Sequence, residues 1–582
     1  MAAANNQANN GKVLAFKKEG EFFYKRGVAM LEKNKILDAV SNFSKAVEIN
    51  PENEEYVISL AESFSNIGYY DESNRVIFAH FPNLETRPAD GFFGLGCNFA
   101  AMMDYENAKA CIEQYLSMEP DGEYACDACD MLEAIFMYEN EKAKDKEKIK
   151  LHAVREPLPS IHDVIMAEDD DEKFGVEAIE KRITKDKKLF FLRNLLTIKF
   201  FLKHDYKKAE EYTNLVLQDD LDNVHAHCNR VMIASASNND EMLNKELDYI
   251  RSYRTENMNE LNRIGLTLLE YSTPDEALPV LKHMYSKLPY DKTIMHKLAI
   301  CYYALKEYKK SIELYDKLIK LDEKDDIAFY YRNICACAQN NGITRGGLVI
   351  DYEVPMDEVV ERVSKIKDFV RLPFEEQLDK WKNDAPSERL IVWGTRCHDI
   401  AIKRAMLTLV STFADKKAEI LLRKFLLHEN ENDDLKREVF GLLAQMQAES
   451  PFIGYIGGAL IESHVDRIEF MEKIPKIYRD ILTNSIQNME SVYSGDALLY
   501  ATHLWKNYLE ANNKSLPQIN KNQGEALSVV IEYFAVNKSG AVISKQELCE
   551  KYNISSTRFD NAYLKLEPFI EITDDELNGI QE

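Results

Sequence analysis

The sequence predicts an all-α fold made of stacked helical hairpins, and three observations carry the prediction. Side-chain sizes recur with a period of 34 residues in two separate stretches, the mark of a repeat architecture. Only 22 Gly and 16 Pro punctuate 582 residues, which favours helices with short connections over a many-stranded sheet. Hydrophobic residues make up 45% and charged residues 29%, a balance that folds rather than staying disordered.

Residues 1–19 lack the apolar core of a secretory signal and are expected to form a flexible N-terminus. A first array is expected over 20–140. Its leading unit, GEFFYKRGVAMLEKNKILDAVSNFSKAVEINPEN, sets small residues at Gly27, Ala39 and Ala46 and bulky ones at Phe23, Met30 and Phe43, with a closing Pro51. Small residues let two helices cross closely and large ones fill the remaining volume. Proline closes the unit because it cannot continue a helix. Residues 54–87 repeat the phase with Leu60, Ala61, Phe64 and Ile77. A third unit from about 89 places Phe92, Leu95, Gly96, Phe99, Ala108, Ile112 and Pro120 in register, and a fourth helix follows over 123–140.

This spacing closely resembles the tetratricopeptide repeat (TPR). The resemblance implies antiparallel helix pairs, A then B, stacked into a solenoid whose A helices line a groove that usually holds peptides.

Residues 141–185, with the turn-rich REPLPSIHD and the acidic AEDDDEK, read as a charged, irregular connector. The TPR-like period then resumes over 186–340, with starts at 190, 224, 258, 292 and 326. Its best unit, 258–291, carries Gly265, Ala277, Leu281 and Pro289, and the next carries Ala299, Tyr302 and Tyr315. Residues 341–512 return to amphipathic helices that resemble either a HEAT-type pair or an ordinary bundle. At most one short β segment is expected, in GGLVIDYEVP at 346–355.

The segment 520–570 resembles a helix-turn-helix. Ser544 with Glu547 three residues on forms a capping-box pattern, a tight turn falls at Asn553–Ile554, and a second helix starts from Ser555. Residues 571–582 form an acidic tail.

Transferring the family's usual groove positions marks Glu21, Tyr24, Val28, Glu55, Ile58, Glu62, Asp90 and Phe93 in the first array. Acids mixed with aromatic and aliphatic side chains suit a peptide with basic residues and apolar anchors. The Lys/Asn/Arg clamp with which some TPR proteins grip a chaperone's terminal carboxylate is not expected, since Tyr24 and Val28 occupy its first positions. The second groove would present Asn262, Leu266, His296, Tyr303, Tyr330 and Ile334, with His296 read as an ordinary hydrogen-bonding residue.

Cys126 and Cys129 invite a metal or redox reading, but no second pair lies nearby. In repeat register they stand where Phe92 and Leu95 stand one unit earlier, so both are expected to face the core as small hydrophobes. His225 and His227, two apart on a helix, point to different faces and cannot chelate together. The ten scattered cysteines lack a disulfide framework's spacing, which points to a reducing, cytoplasmic setting.

HExxH, GxSxG, P-loop and EF-hand patterns are absent from the sequence. Asp169, Asp170 and Asp171 fall in a loop without an apolar pocket. No catalytic residue, metal or cofactor is therefore expected, and the chain does not read as an enzyme.

A formal charge of −25 repels phosphate backbones and anionic lipids, and no apolar run reaches the ~20 residues of a membrane helix. The expected partner is a protein or peptide, not nucleic acid or membrane. The function that follows is an interaction scaffold or adaptor.

The alternative is a transcription regulator with TPR sensors, in which Ser556, Thr557, Arg558 and Asn561 contact DNA. From residue 520 onward six cations face eleven acids, which weighs against it. A continuous basic strip joining Arg558 to Lys545 and Lys551 would favour it.

Overall fold

The computed structural model describes residues 19–148, 175–185, 189–463, 476–489, 495–512, 516–538 and 543–569. Outside these lie residues 1–18, the REPLPSIHD and AEDDDEK portions of the connector with Asp169–Asp171, and the tail 571–582. The chain divides into two compact units, one formed by residues 1–135 with 394–582 and the other by 136–393.

The first unit opens with three helix pairs: α1 (Gly20–Leu31) and α2 (Ile36–Ile49), α3 (Glu54–Ser65) and α4 (Tyr70–His80), and α5 (Ala89–Ala101) and α6 (Tyr105–Met118). A long helix α7 (Ala125–Lys148) follows. Each pair crosses where the sequence places a small residue. A Cβ on Gly27 would lie 2.5 Å from the ring of Phe43, and Ile112 fills the same place over Gly96. Phe43, Ala39 and Ala46 are fully buried beneath that crossing. Asn53 and Asp104 cap α3 and α6 by accepting from backbone N–H groups three residues on.

The second unit contains α8 (Val176–Lys185) and then four further pairs. These are α9 (Phe190–Leu202) with α10 (Tyr206–Asp219), α11 (Val224–Ala236) with α12 (Asp240–Ser252), α13 (Met258–Tyr271) with α14 (Pro274–Lys287), and α15 (Lys292–Ala304) with α16 (Tyr308–Leu321). The A helix α17 (Asp326–Asn341) follows without a repeat partner, then α18 (Met356–Val370), α19 (Phe374–Asn383) and α20 (Ala385–Arg396), whose last three residues are counted with the first unit.

The turn between helices A and B carries a rhythm of its own. Asn34 (φ 55°), Gly68 (82°), His204 (60°), Asn238 (53°) and Lys306 (60°) all take the left-handed conformation. Their numbers are all multiples of 34, yet only one of them is the glycine that this conformation favours.

The chain then returns to the first unit through α21 (Ile400–Phe413), α22 (Lys416–Leu426) and α23 (Asp433–Gln445). Helix α22 packs on α4, and the core of the first array, with Val76, Ile77 and Phe78, continues into Leu427 and Ile453. Glu72 stands at this seam and accepts from Lys424 Nζ at 2.7 Å and from Arg75 Nε at 2.9 Å. The helices α24 (Lys476–Met489), α25 (Gly495–Ala511), α26 (Lys521–Lys538), α27 (Lys545–Lys551) and α28 (Ser556–Leu566) close the chain around Trp505, Val530, Leu548 and Phe559.

The β expectation needs correcting. Residues 346–355 form no strand. The described residues hold instead an antiparallel hairpin, β1 (Phe452–Ile456) paired with β2 (Ala459–Ser463), turned by Gly457 and Gly458 at φ 60° and 80°. Two positive φ values are what a two-residue hairpin turn demands. The extended segment at 346–355 instead has backbone groups bonded by side chains of the repeat helices, as described below.

Candidate partner-binding grooves

In the first array the A helices α1, α3 and α5 carry the expected groove residues. Glu21 is exposed and paired with Lys25 at 2.5 Å. Tyr24 donates to Glu55 Oε1 at 2.8 Å and stacks on Tyr56, with ring centroids 4.9 Å apart. Val28 is half-buried beside the same core, and Ile58 is half-buried on the next A helix.

Further along, Phe93 stacks face to face on Tyr124, at 4.5 Å and 8°. The tyrosine's backbone N–H is held by the Tyr115 hydroxyl at 2.9 Å. Partial burial raises the pKa of Glu62, and the nearby carboxylates of Asp90 and Glu123 raise it further. Three acids from three successive structural units thus share one negative field beside an aromatic stack. Tyr124 and Glu123 are not among the expected residues, since they fall just before α7 and outside the A-helix register that the others share.

The second array is different. Residues 343–355 lie as an extended strap against the A helices α15 and α17. His296 is fully buried; its Nε2 donates to the Val349 carbonyl at 3.0 Å, so Nδ1 accepts from the Tyr315 hydroxyl, also at 3.0 Å. Burial pushes its pKa down to about 4. The Tyr303 hydroxyl donates to Arg345 O at 3.1 Å and accepts from Arg345 N–H at 2.8 Å.

Tyr331 donates to Glu353 O at 2.7 Å, and Tyr352 of the strap reaches back to Asp325 at 2.7 Å. The Arg345 guanidinium lies 5.5 Å from the Tyr330 ring and pairs with Asp357. Asn262 stays exposed and accepts from Lys297 at 2.8 Å. Leu266 and Ile334 take places on α13 and α17. The chain's own backbone therefore covers His296 and Tyr303.

Cys126 and Cys129 do not face the core: both thiols are exposed. The described part of α7 buries one stripe, of Ala128, Met131, Leu132 and Ile135. The cysteines fall outside that stripe. His227 is buried and bonded to Glu246 at 2.5 Å and to Leu221 O at 2.9 Å, while His225 is half-buried. Among the described residues, no group of three or more His, Cys, Asp or Glu side chains could hold a metal ion. Nor is any helix among them long and apolar enough to cross a membrane.

At the chain's end, Ser544 and Glu547 form the full capping box on α27, and Asn553 (φ 50°) turns the chain into α28. Ser556, Thr557 and Asn561 are exposed and Arg558 is half-buried. Lys545, Lys551 and Arg558 each have an acid beside them. Lys545 pairs with Asp560 at 2.5 Å and Lys551 with the fully buried Glu532 at 2.8 Å, and Arg558 lies 3.5 Å from Glu525.

Two stretches of the chain, 89–121 and 268–331, match the sequence patterns described as Tetratricopeptide repeat. The chain thus carries tetratricopeptide repeats, a fold that generally mediates protein–protein interactions. It is similar to the TPR repeat-containing protein YvcD of Bacillus subtilis (strain 168), at 22% identity over 285 residues. That alignment covers 48% of this chain and 56% of the relative, so the chain spans about half the length of the curated relative it matches.

Among solved structures it is similar to the APC/C hetero-tetramer Cut9-Hcn1, at 10% identity over 72% of this chain and 96% of that one, with a TM-score of 0.26. It is also similar to yeast Tom70, at 15% identity, 74% and 95% coverage and a TM-score of 0.20.

Proposed function

We propose that this chain is an interaction adaptor whose first array holds a protein segment bearing basic and apolar side chains. The observation that carries the reading is the gathering of Glu62, Asp90 and Glu123 beside the stacked Phe93 and Tyr124. An arginine or lysine of the partner would stack on the exposed ring face and pair with the carboxylates. An apolar neighbour would settle beside Tyr24, Val28 and Ile58.

The second groove contributes less in this arrangement. A partner reaching His296 or Tyr303 would have to displace the strap, leaving Asn262 and the rim of Tyr330 as the open contacts. The DNA-binding alternative finds little support, because Lys545, Lys551 and Arg558 are each beside an acid and form no free basic strip for phosphates. The reading therefore assigns no nucleic-acid role. The ten free thiols suit a reducing compartment.

The test uses the full chain immobilised against an array of peptides that vary in basic and aromatic content. Basic, aliphatic-rich peptides should be retained at low salt and released as salt rises. The double variant Tyr24→Ala with Phe93→Ala should lose that retention, and Glu62→Gln with Asp90→Asn should weaken it at least tenfold. Undiminished capture by the first double variant would show that the binding surface lies elsewhere, and a mobility shift with DNA fragments at low salt would revive the alternative.

A further inference from the structure

The strap over the second groove is held chiefly by its backbone. Tyr303 bonds to both main-chain groups of Arg345, His296 to the carbonyl of Val349 and Tyr331 to the carbonyl of Glu353. The bonded strap positions recur at every fourth residue. Tyr303 and His296 lie seven residues apart on α15, about 10.5 Å along its axis, and four extended residues reach about 13 Å. From 345 to 349 the strap therefore runs alongside α15 in the opposite direction, and it meets α17 at 353. A groove that reads main-chain atoms at a fixed spacing accepts an extended segment that can lie in that register.

Two strap side chains add selectivity. The Tyr352 hydroxyl donates to Asp325 Oδ2 at 2.7 Å, and its ring meets the His296 ring edge-on at 5.2 Å. Asp325 is only 6% exposed, so a tyrosine hydroxyl bonded to it is worth more than a surface contact. Seven places earlier, the Arg345 guanidinium lies 5.5 Å from the Tyr330 ring and pairs with Asp357. The strap thus displays what fits: an arginine over an aromatic ring and, seven places on, a tyrosine against a histidine.

The strap can leave without unfolding its neighbours. Residues 342–355 form neither helix nor strand. Gly342 and Gly347 take left-handed φ values of 66° and 65°, and a Cβ on Gly342, Gly346 or Gly347 would meet nothing within 4 Å. Leu348, Val349 and Ile350 are only half-buried. Beyond the strap, α18 keeps its own hold on α17 through Arg362, whose side chain is 4% exposed and pairs with Asp326 at 2.7 Å. The strap therefore lifts as a loop fixed at both ends.

We propose that the second groove binds an extended segment of a partner protein carrying an arginine seven places before a tyrosine, and that the strap is the resident competitor for it. A tethered segment competes at an effective concentration on the order of millimolar. The partner's apparent affinity scales with the fraction of molecules whose strap is open, so weakening the strap tightens the partner. This groove belongs to the second unit, and its failure to bind leaves the acidic groove of the first array unaffected.

Fluorescence anisotropy with the full chain at pH 7 uses a labelled, end-capped peptide of the strap sequence, ITRGGLVIDYEVP, as the probe. The double variant Arg345→Ala with Tyr352→Ala, altered only on the strap, should bind it about tenfold more tightly than the unaltered chain. Tyr352→Phe removes a single oxygen from the strap and should give a smaller gain in the same direction, which guards against a folding defect in the double variant. Adding Tyr303→Phe to the double variant should weaken the peptide about fivefold. A peptide with alanine in place of its arginine and tyrosine should bind about tenfold more weakly. Equal affinity for every strap variant, no capture by the double variant, or a gain that survives Tyr303→Phe would overturn the assignment. So would a dimer of the double variant that takes up no peptide, since a second copy would then fill the groove.

Discussion

Tyr303→Phe tests whether the strap is held in the second groove by the bonds described. The substitution removes one oxygen and nothing else. That oxygen both donates to and accepts from the backbone of Arg345, and the side chain is only 8% exposed, so water does not simply replace it. Two hydrogen bonds at about 1 kcal/mol net each give roughly 2 kcal/mol of lost local stability. At 298 K that is about a thirtyfold rise in the population of the opened strap.

The assay is native-state hydrogen exchange followed by mass spectrometry. Peptides spanning 343–355 should exchange roughly thirtyfold faster in the variant, while peptides from α11 and α12 keep their rates. Unchanged protection over 343–355 would refute the reasoning, because it would mean the strap is held by something other than the Tyr303 hydroxyl.

Gly27→Ala should destabilise the first unit by about 1–2 kcal/mol, because the new Cβ meets the buried Phe43 ring and overpacking outweighs the gain in helix propensity. Gly441→Ala, in α23 with nothing within 4 Å of the built Cβ, should stabilise by up to about 1 kcal/mol; denaturant titration of the two variants reads the opposite signs. His296 is held neutral with its pKa near 4, so the unfolded chain takes up its proton first as pH falls. The stability it protects should be complete above pH 6.5 and decline progressively toward pH 4, a slope that His296→Gln should flatten in thermal melts. Brief alkylation of the native chain should modify the exposed Cys126, Cys129 and Cys337 well before the buried Cys228, Cys301 and Cys335; equal labelling of both sets would contradict the exposure seen here.

The periodic part of the fold was legible because side-chain size is a local property that repeats. Gly27 against Phe43 and Gly265 against Leu281 can be recognised without knowing what lies around them. What escaped depends on context beyond the repeat. Cys126 and Cys129 keep the numerical phase of Phe92 and Leu95, but the face that α7 buries is the one with Ala128, Met131, Leu132 and Ile135. The left-handed residues at most A–B turns leave no mark in the letters, because His204 and Lys306 carry no glycine signal. The hairpin has a cue in Gly457 and Gly458 between alternating residues, weaker in β-branched letters than the segment at 346–355.

For the groove, Tyr24, Glu62 and Phe93 could be found by their places on A helices, whereas Glu123 and Tyr124 sit in the turn before one. The strap over His296 joins residues 53 apart, and the seam between Glu72 and Lys424 joins residues 352 apart. No periodicity links such positions.

That last separation bears on how the molecule is made. The face of α4 that ends against Leu427 and Ile453 leaves the ribosome several hundred codons before its covering does, and at ordinary elongation rates the wait lasts tens of seconds. During that interval the middle unit is complete and the first array is not. A chaperone, or a partner already docked on the repeats, has that period in which to meet an apolar stripe that the finished protein no longer shows.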